Sequence, residues 1–317
     1  MKSPERQNLS PWGIVVFAAR ETLDVLHQTV HAASVAACGR AHIDVLVNGN
    51  PALAKALANR LANTSNGVST RVWSLLQSDK ANAWNSYIRH VWAGESIAFF
   101  IDGYVWLNPD AVRLLGDAVS STADVLGGTG VPSVGRTAHT MRSTMARSGG
   151  FHGNFCCIKG SVIEQLRQRN IALPFGLYRV DALMGTLLSF GLYPERRDWN
   201  QRRIFVHTEA SWQAKPKHWW RLADLMATIK RTVRQSRGIL ENEAVKSHFV
   251  QQHRTAESLP ATAAELVLNW TECYPDQASR TFWHHPLTRR GLTEIKLSIG
   301  RMADGLPPTL VEGSGTP

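Results

Sequence analysis

The run Ile97-Ala98-Phe99-Phe100-Ile101-Asp102-Gly103-Tyr104-Val105-Trp106 decides how this chain is read. Its first five residues are apolar without alternation, as in a strand covered on both faces at the centre of an α/β sheet. Asp102 then ends the strand beside Gly103. Ligands of open α/β sheets collect beyond the carboxyl ends of the strands. A carboxylate there is placed to hold a metal ion or a sugar hydroxyl. The same Asp can also simply open a turn into Leu107-Asn108-Pro109-Asp110. The surrounding chain weighs against that simpler reading.

Outward from this run the sequence alternates strand and helix. Trp12 to Ala18 reads as a first strand, Thr22 to Ala37 carries apolar residues at helical spacing, and Ile43 to Val47 is a second strand. Asn48-Gly49-Asn50-Pro51 is a turn, and its proline suits the first turn of a helix from Ala52 to Leu61. Thr70 to Leu75 is a third strand and Asn82 to Ala93 a helix, after which comes the strand ending at Asp102. This order predicts a mainly parallel sheet wrapped by helices. Gly127 to Gly153 reads as loops and short strands around a site, Ser161 to Asn170 as a helix, and a further helix starts near Arg179. Beyond Trp212 the pattern turns helical and basic to about His253, a further segment follows from Pro260 to Tyr274, and the Pro/Gly-rich end reads as disordered. The expected division is an α/β domain over 1–212, a helical basic extension over 213–304 and a tail over 305–317.

With 44% hydrophobic and 19% charged residues, the chain can bury a sizeable core, which excludes global disorder. No apolar stretch approaches the roughly 20 residues that span a bilayer, and the polar start Met1-Lys2-Ser3-Pro4-Glu5-Arg6-Gln7-Asn8 does not read as a signal peptide. The four cysteines have no metal-ligand spacing, and the adjacent Cys156 and Cys157 read as buried thiols of a reducing compartment. A cytoplasmic protein is expected. The formal charge of +10 implies an acidic partner: nucleotide diphosphate, anionic lipid or nucleic acid. No nucleic-acid motif accompanies the charge, so nucleic acid is set aside.

Five pieces, in order, resemble family 2 glycosyltransferases of the GT-A fold over residues of about 12 to 212. Ala18-Ala19-Arg20-Glu21 resembles the first nucleotide-binding loop, and Val45-Leu46-Val47-Asn48-Gly49-Asn50 the strand and turn that meet the nucleoside. Lys80-Ala81-Asn82-Ala83-Trp84-Asn85 resembles the segment opening the next helix, and Phe100-Ile101-Asp102-Gly103-Tyr104 the metal-binding acidic triplet. Leu173-Pro174-Phe175-Gly176-Leu177-Tyr178-Arg179-Val180-Asp181 is similar to the stretch whose Asp acts as general base. The resemblance implies an inverting transfer of a hexosyl group from a nucleotide-sugar donor to a glycan or lipid-linked acceptor, in bacterial surface polysaccharide synthesis. Ala18, Arg20, Glu21, Asn48, Lys80, Asn85 and Gly103 are then the donor-binding residues, and Asp102 and Asp181 the catalytic ones. A sugar-nucleotidyltransferase has a related sheet, but Phe17-Ala18-Ala19-Arg20-Glu21 lacks its glycine-rich signature.

Two positions depart from the pattern. Gly103 and Tyr104 leave Asp102 as the one acidic residue of the triplet, and Asn48 stands where an Asp usually meets the base. An amide still offers a donor and an acceptor to a base edge. The departures also support an alternative, a degenerate glycosyltransferase-like protein that binds nucleotide or glycan without turnover.

A departing diphosphate must be neutralised by a divalent ion or by Lys and Arg. Mg²⁺ or Mn²⁺ takes carboxylate and phosphate oxygens, so Asp102 is one expected ligand, and His207, after the strand-like Ile204-Phe205-Val206, is either the second or a hydrogen-bonded histidine at a strand end. Arg136, Arg202 and Arg203 are alternative phosphate clamps. Asp181 at a helix start suits proton abstraction, because the helix dipole favours its ionised form. Gly150 and His152, within Gly149-Gly150-Phe151-His152-Gly153-Asn154, and Arg179 are expected to face the transferred sugar or acceptor. In the extension Leu222, Leu225, Met226, Ile229 and Val233 share one helical face, flanked by Lys230, Arg234 and Arg237 with Trp219 nearby. That suits either a helix packed on the catalytic domain with a solvated basic flank or peripheral contact with an anionic membrane, here the inner face of the cell membrane.

Overall fold

The computed structural model describes residues 12–63, 68–135, 138–214, 222–303 and 305–314, with the backbone alone for 222–231. The chain runs β1 (Trp12–Ala18), α1 (Leu23–Ala37), β2 (Ala41–Asn48), α2 (Pro51–Ala62), β3 (Thr70–Leu75), α3 (Lys80–Ser86), β4 (Ile97–Asp102), β5 (Val105–Leu107) and α4 (Ala111–Ser121). It continues through β6 (Gly127–Pro132), α5 (Ala138–Ser148), β7 (Phe155–Lys159), α6 (Gly160–Gln168), α7 (Val180–Ser189), β8 (Ile204–Ala214), α8 (Leu222–Lys246), α9 (Ala263–Cys273), α10 (Pro275–His284), α11 (Thr288–Lys296) and β9 (Thr309–Leu310). Local chemistry sets several boundaries. Asn50 caps α2 by accepting from the Leu53 amide at 3.1 Å with Pro51 in its first turn. Asp79 caps α3 through the Asn82 amide at 2.7 Å, and the helix widens into a π turn at Tyr87–Val91.

One sheet holds the strands in the order β5-β8-β6-β7-β4-β1-β2-β3-β9. Its β3-β2-β1-β4 half is parallel, as the strand and helix alternation predicts, whereas β7 runs antiparallel between β4 and β6. The apolar run of β4 is buried from Ile97 to Ile101 between two core layers. On one side Trp84 stacks on Phe100 with centroids 3.9 Å apart, and on the other Trp12 meets Phe99 edge-on at 5.6 Å. Large aromatic pairs of this kind dominate core packing.

The glycine-rich passage departs from expectation. It contains a full strand, β6, and a helix, α5. β6 is glycine-rich because a Cβ at Gly128 would press on Val119 and Leu115 at 2.8 and 2.9 Å. Among the residues of α5 only Ala138 and Met145 are buried, so the helix shows no apolar stripe for a sequence pattern to reveal.

The extension is not set apart from the α/β region by its own core. Leu240, Ala244, Phe249, Ala263, Val267 and Trp270 join Phe17, Trp84 and Phe100 in one continuous cluster. The tail also departs from the disordered reading: Thr309–Leu310 pairs antiparallel with β3, and Val311 N–H donates to the Val72 carbonyl at 2.8 Å. Residues 315–317, the N-terminal stretch 1–11, Arg136 and Trp219 lie outside the described residues. No helix among the described residues is long and apolar enough to cross a membrane.

Candidate active site

The register brings separate segments to one edge. Phe17 pairs with Asp102, Ala18 with Val47 and Asn48 with Leu75, so β1, β2, β3 and β4 end together. Antiparallel β7 starts at this same edge, Phe155 opposite Ile101, and the Asp102 N–H donates to the Asn154 carbonyl at 3.3 Å. Gly103 nests where a Cβ would lie 2.9 Å from the Phe17 carbonyl, its N–H donates to that carbonyl at 2.7 Å, and its own carbonyl accepts from the buried Thr29 hydroxyl at 2.9 Å. Gly103 therefore ties β4 to β1, where a donor-binding glycine was expected.

At this edge Asp102 forms an ion pair with Lys80, the first residue of α3, and its other oxygen accepts from the Tyr104 hydroxyl at 3.1 Å. Burial alone would lower the Lys80 pKa, but the carboxylates of Asp102 and then Asp181 raise it, so the ammonium stays charged. Asp181, in the first turn of α7, accepts from the Gly153 N–H at 3.2 Å. A Cβ at Gly153 would sit 3.1 Å from the Asp181 Cβ, so glycine is what admits the carboxylate. Beneath the cluster Cys156 is fully buried, and burial pushes its thiol pKa well above the ordinary value.

The neighbouring loops are organised around the same edge. The Glu21 carboxylate accepts from the Ala19 and Arg20 amides at 2.7 and 2.9 Å, holding the loop after Ala18, and Asn50 Nδ2 donates to the Ala19 carbonyl at 3.1 Å. Asn48 is buried, and its Oδ1 meets no hydrogen-bond partner among the described residues. An acceptor stripped of water and left unpaired is costly, and a base N–H would satisfy it. Gly150 has φ +137° and faces open space, while His152 lies 5.6 Å from Trp212 between ring centroids and accepts the Asn154 N–H on Nδ1 at 3.4 Å.

Family models and curated sequences give no match to this chain. Solved structures do resemble it. A mannosyltransferase from Pyrobaculum calidifontis, in complex with GDP-Man and Mn2+, aligns over 94% of this chain and 90% of its own at 13% identity, with a TM-score of 0.55. The fold is of the GT-A type. A glucosyl-3-phosphoglycerate synthase from Mycobacterium tuberculosis matches at 15% identity over 72% of this chain and 77% of that one, with a TM-score of 0.45. A 4-diphosphocytidyl-2C-methyl-D-erythritol synthase from Anaerococcus prevotii matches at 11% over 69% and 98%, with a TM-score of 0.43. Likeness at such identity is one of fold, and activity has to be argued from the site.

In this GT-A chain several expected residues do other work. Both ends of the Asn85 amide are taken by the Leu173 backbone, at 2.8 and 2.9 Å, so Asn85 anchors the loop before Asp181 and does not reach a donor. Arg179 turns its side chain across Gly238 of α8, away from the cluster, while its backbone N–H donates to Glu241 at 3.0 Å. Arg203 holds Asp198 and the Ser189 carbonyl, so it is no phosphate clamp, and Arg202 is exposed. Arg237, expected on a membrane-facing flank, instead turns inward to Glu241 at 2.8 Å and to the Gly176 carbonyl. Arg234 is exposed, and the side chains of 222–231 lie outside the described residues.

Among the described residues no three His, Cys, Asp or Glu converge to hold an ion. Both Asp102 oxygens are engaged by Lys80 and Tyr104, and His207 Nδ1 accepts the Glu209 and Ala210 amides at 3.3 and 3.2 Å. Burial lowers the His207 pKa. A Lys ammonium engages the Asp102 carboxylate directly.

Two residues outside the motifs complete the site. Asp79 caps α3, which opens with Lys80, and its second oxygen accepts the Gly176 N–H at 3.0 Å. Glu241 is fully buried and accepts the Tyr178 and Arg179 amides at 3.0–3.1 Å beside Arg237. Burial raises its pKa, against the pull of Arg237 and those amides. The loop delivering Asp181 is thus clamped between α3 and α8. An i,i+4 Arg–Glu pair is visible in sequence, but its partner loop some sixty residues upstream is not.

Proposed function

We propose that this chain is an inverting glycosyltransferase of the family 2 kind. It moves a hexosyl group from a nucleotide-diphosphate donor to a hydroxyl of a glycan or lipid-linked acceptor, in bacterial surface polysaccharide synthesis at the cytoplasmic side of the membrane. The observation that carries the reading is the meeting of Asp102, Lys80 and Asp181 at the carboxyl edge of a GT-A sheet. Asp181 takes the proton of the attacking hydroxyl as its oxygen bonds to the anomeric carbon. The bond from that carbon to the phosphate oxygen breaks, and its electron pair leaves on the diphosphate. One in-line displacement inverts the centre. Lys80 neutralises the departing charge from a partly desolvated position where it needs no reorganisation, and Asp102 with Tyr104 fixes the ammonium. Asn48 meets the base through its unpaired acceptor. No step is assigned to a metal ion.

The engagement of Asp102 by Lys80 favours one second reading, a nucleotide-binding protein without turnover. Release of nucleoside diphosphate from a nucleotide-sugar panel, with acceptor and in EDTA, separates the two. Acceptor-dependent release that survives EDTA supports the proposed reaction; nucleotide binding without release from any donor would sink it.

A further inference from the structure

Behind α7 lies a cavity of about 530 Å³, walled by α7, the turn at Pro194–Arg196 and the C-terminal half of α8. Ligand cavities commonly span about 300–1,000 Å³. We propose that this cavity holds the hydrocarbon chain of an anionic lipid acceptor, whose phosphate lies over Arg179, Arg197 and Lys246. The inference rests on the glycosyltransferase reading and names its acceptor class.

The walls include Leu183, Phe190, Val245 and Phe249, which offer no partner to a sugar hydroxyl but bury methylenes favourably. At the mouth Trp199 and Val250 are each 49% exposed, apolar surface that an apolar occupant would cover. The ionised side chains on the lining are complementary to an anion. Arg179, Arg197, Lys246 and the titratable His253 face it, Arg197 lying 2.5 Å from His253. The one acidic lining residue, Glu241, is buried and already bonded to Arg237 and two amides.

The cavity connects to the chemistry through α7. Ala182, Leu183 and Thr186 face the cavity, and at 100° per residue Asp181 lies on the other side of the helix. Arg179 stands at the start of that helix, two residues before Asp181. A lipid with its chain in the cavity and its phosphate at Arg179 places the group beyond the phosphate at the α7 start, from which it passes round the helix end to reach Asp181 on the other side.

The test is calorimetry of dodecyl phosphate and of the uncharged dodecyl maltoside, both below micelle formation, on the full chain. Dodecyl phosphate should bind more tightly than the maltoside. Thr186→Trp, which fills the cavity, should weaken both. Val250→Glu, at an exposed mouth position that does not threaten folding, should weaken the phosphate by roughly tenfold, as should Lys246→Glu. Absence of dodecyl phosphate binding, or binding indifferent to both Thr186→Trp and Val250→Glu, overturns the proposal. Equal affinity for the two amphiphiles overturns its phosphate contact. Nucleoside diphosphate binding is read on the same preparations. Lipid binding without nucleotide binding or transfer would strike the glycosyltransferase reading and leave the cavity, whereas nucleotide binding without lipid binding strikes the cavity alone.

Discussion

Two clusters of buried charge stand at opposite ends of the same strands. At the amino edge Asp44 of β2 takes Arg71 bidentately at 2.7 and 2.8 Å and Trp73 Nε1 at 2.8 Å. His42 Nε2 lies 3.0 Å from Glu95 and 3.3 Å from Asp44. His42, Asp44 and Glu95 are all nearly inaccessible to solvent. At the carboxyl edge Lys80 pairs with Asp102 within electrostatic reach of Asp181, and its side chain is 33% exposed. The first cluster pairs its charges within the protein, although the buried His42 Nδ1 has no hydrogen-bond partner among the described residues. The second leaves a cation and a base open on one side. A buried network paired within the protein contributes rigidity, while an open one can exchange a protein partner for a substrate.

The sharpest break between them is Asp181→Asn. A general base acts in the transition state alone, so transfer should fall by about 10²–10⁴-fold. Donor affinity by calorimetry and the urea midpoint should both stay put. A variant keeping more than about a tenth of the rate would move the base elsewhere, with His152 the next residue to examine. Asp44→Ala is the mirror image: removing one partner of a buried ion pair costs about 3–5 kcal/mol, read by urea unfolding. The rate per folded molecule should not change, and a stability loss below about 1 kcal/mol would put the pair in the class of exposed ones.

His42 gives that edge a pH signature. Burial works against the charged ring, but Asp44 and Glu95 raise its pKa from 6.5 to about 9. A group raised on folding stabilises fully below its unfolded pKa and loses that contribution as pH rises through the folded one. The stability gap between wild type and His42→Gln should therefore be widest below pH 6.5, at most about 3 kcal/mol, and close by pH 9. A gap that widens with pH would contradict the arrangement. The smallest expected effect on ground-state binding belongs to Lys80→Met, which removes one charge-assisted contact; transfer should fall further, because the same ammonium neutralises the departing diphosphate. Nucleoside diphosphate affinity should drop roughly tenfold to a hundredfold with nucleoside affinity unchanged. Equal losses for both ligands would place Lys80 at the base or sugar rather than at the phosphates.

The sequence by itself determined the strands and helices of the first hundred residues. Unalternated apolar runs define β1 and β4, and Asn50-Pro51 starts α2, because the period of side chains and the chemistry of caps act within a few residues. It also marked Asp102, Lys80 and Asp181 as the residues with chemistry to offer. It could not separate Asn85, whose amide serves the Leu173 backbone, from an amide that serves a ligand, since both need the same residue type. Nor did it reveal α5, which has no apolar stripe, or the tail strand β9, whose pairing with β3 joins residues far apart in the chain. Only the tertiary structure set Lys80 on Asp102, and drew Arg237 and Glu241 of the extension onto the loop that carries Asp181. Those contacts depend on which strand ends coincide and which helix covers them. Packing of one continuous core decides that, and no local pattern records it.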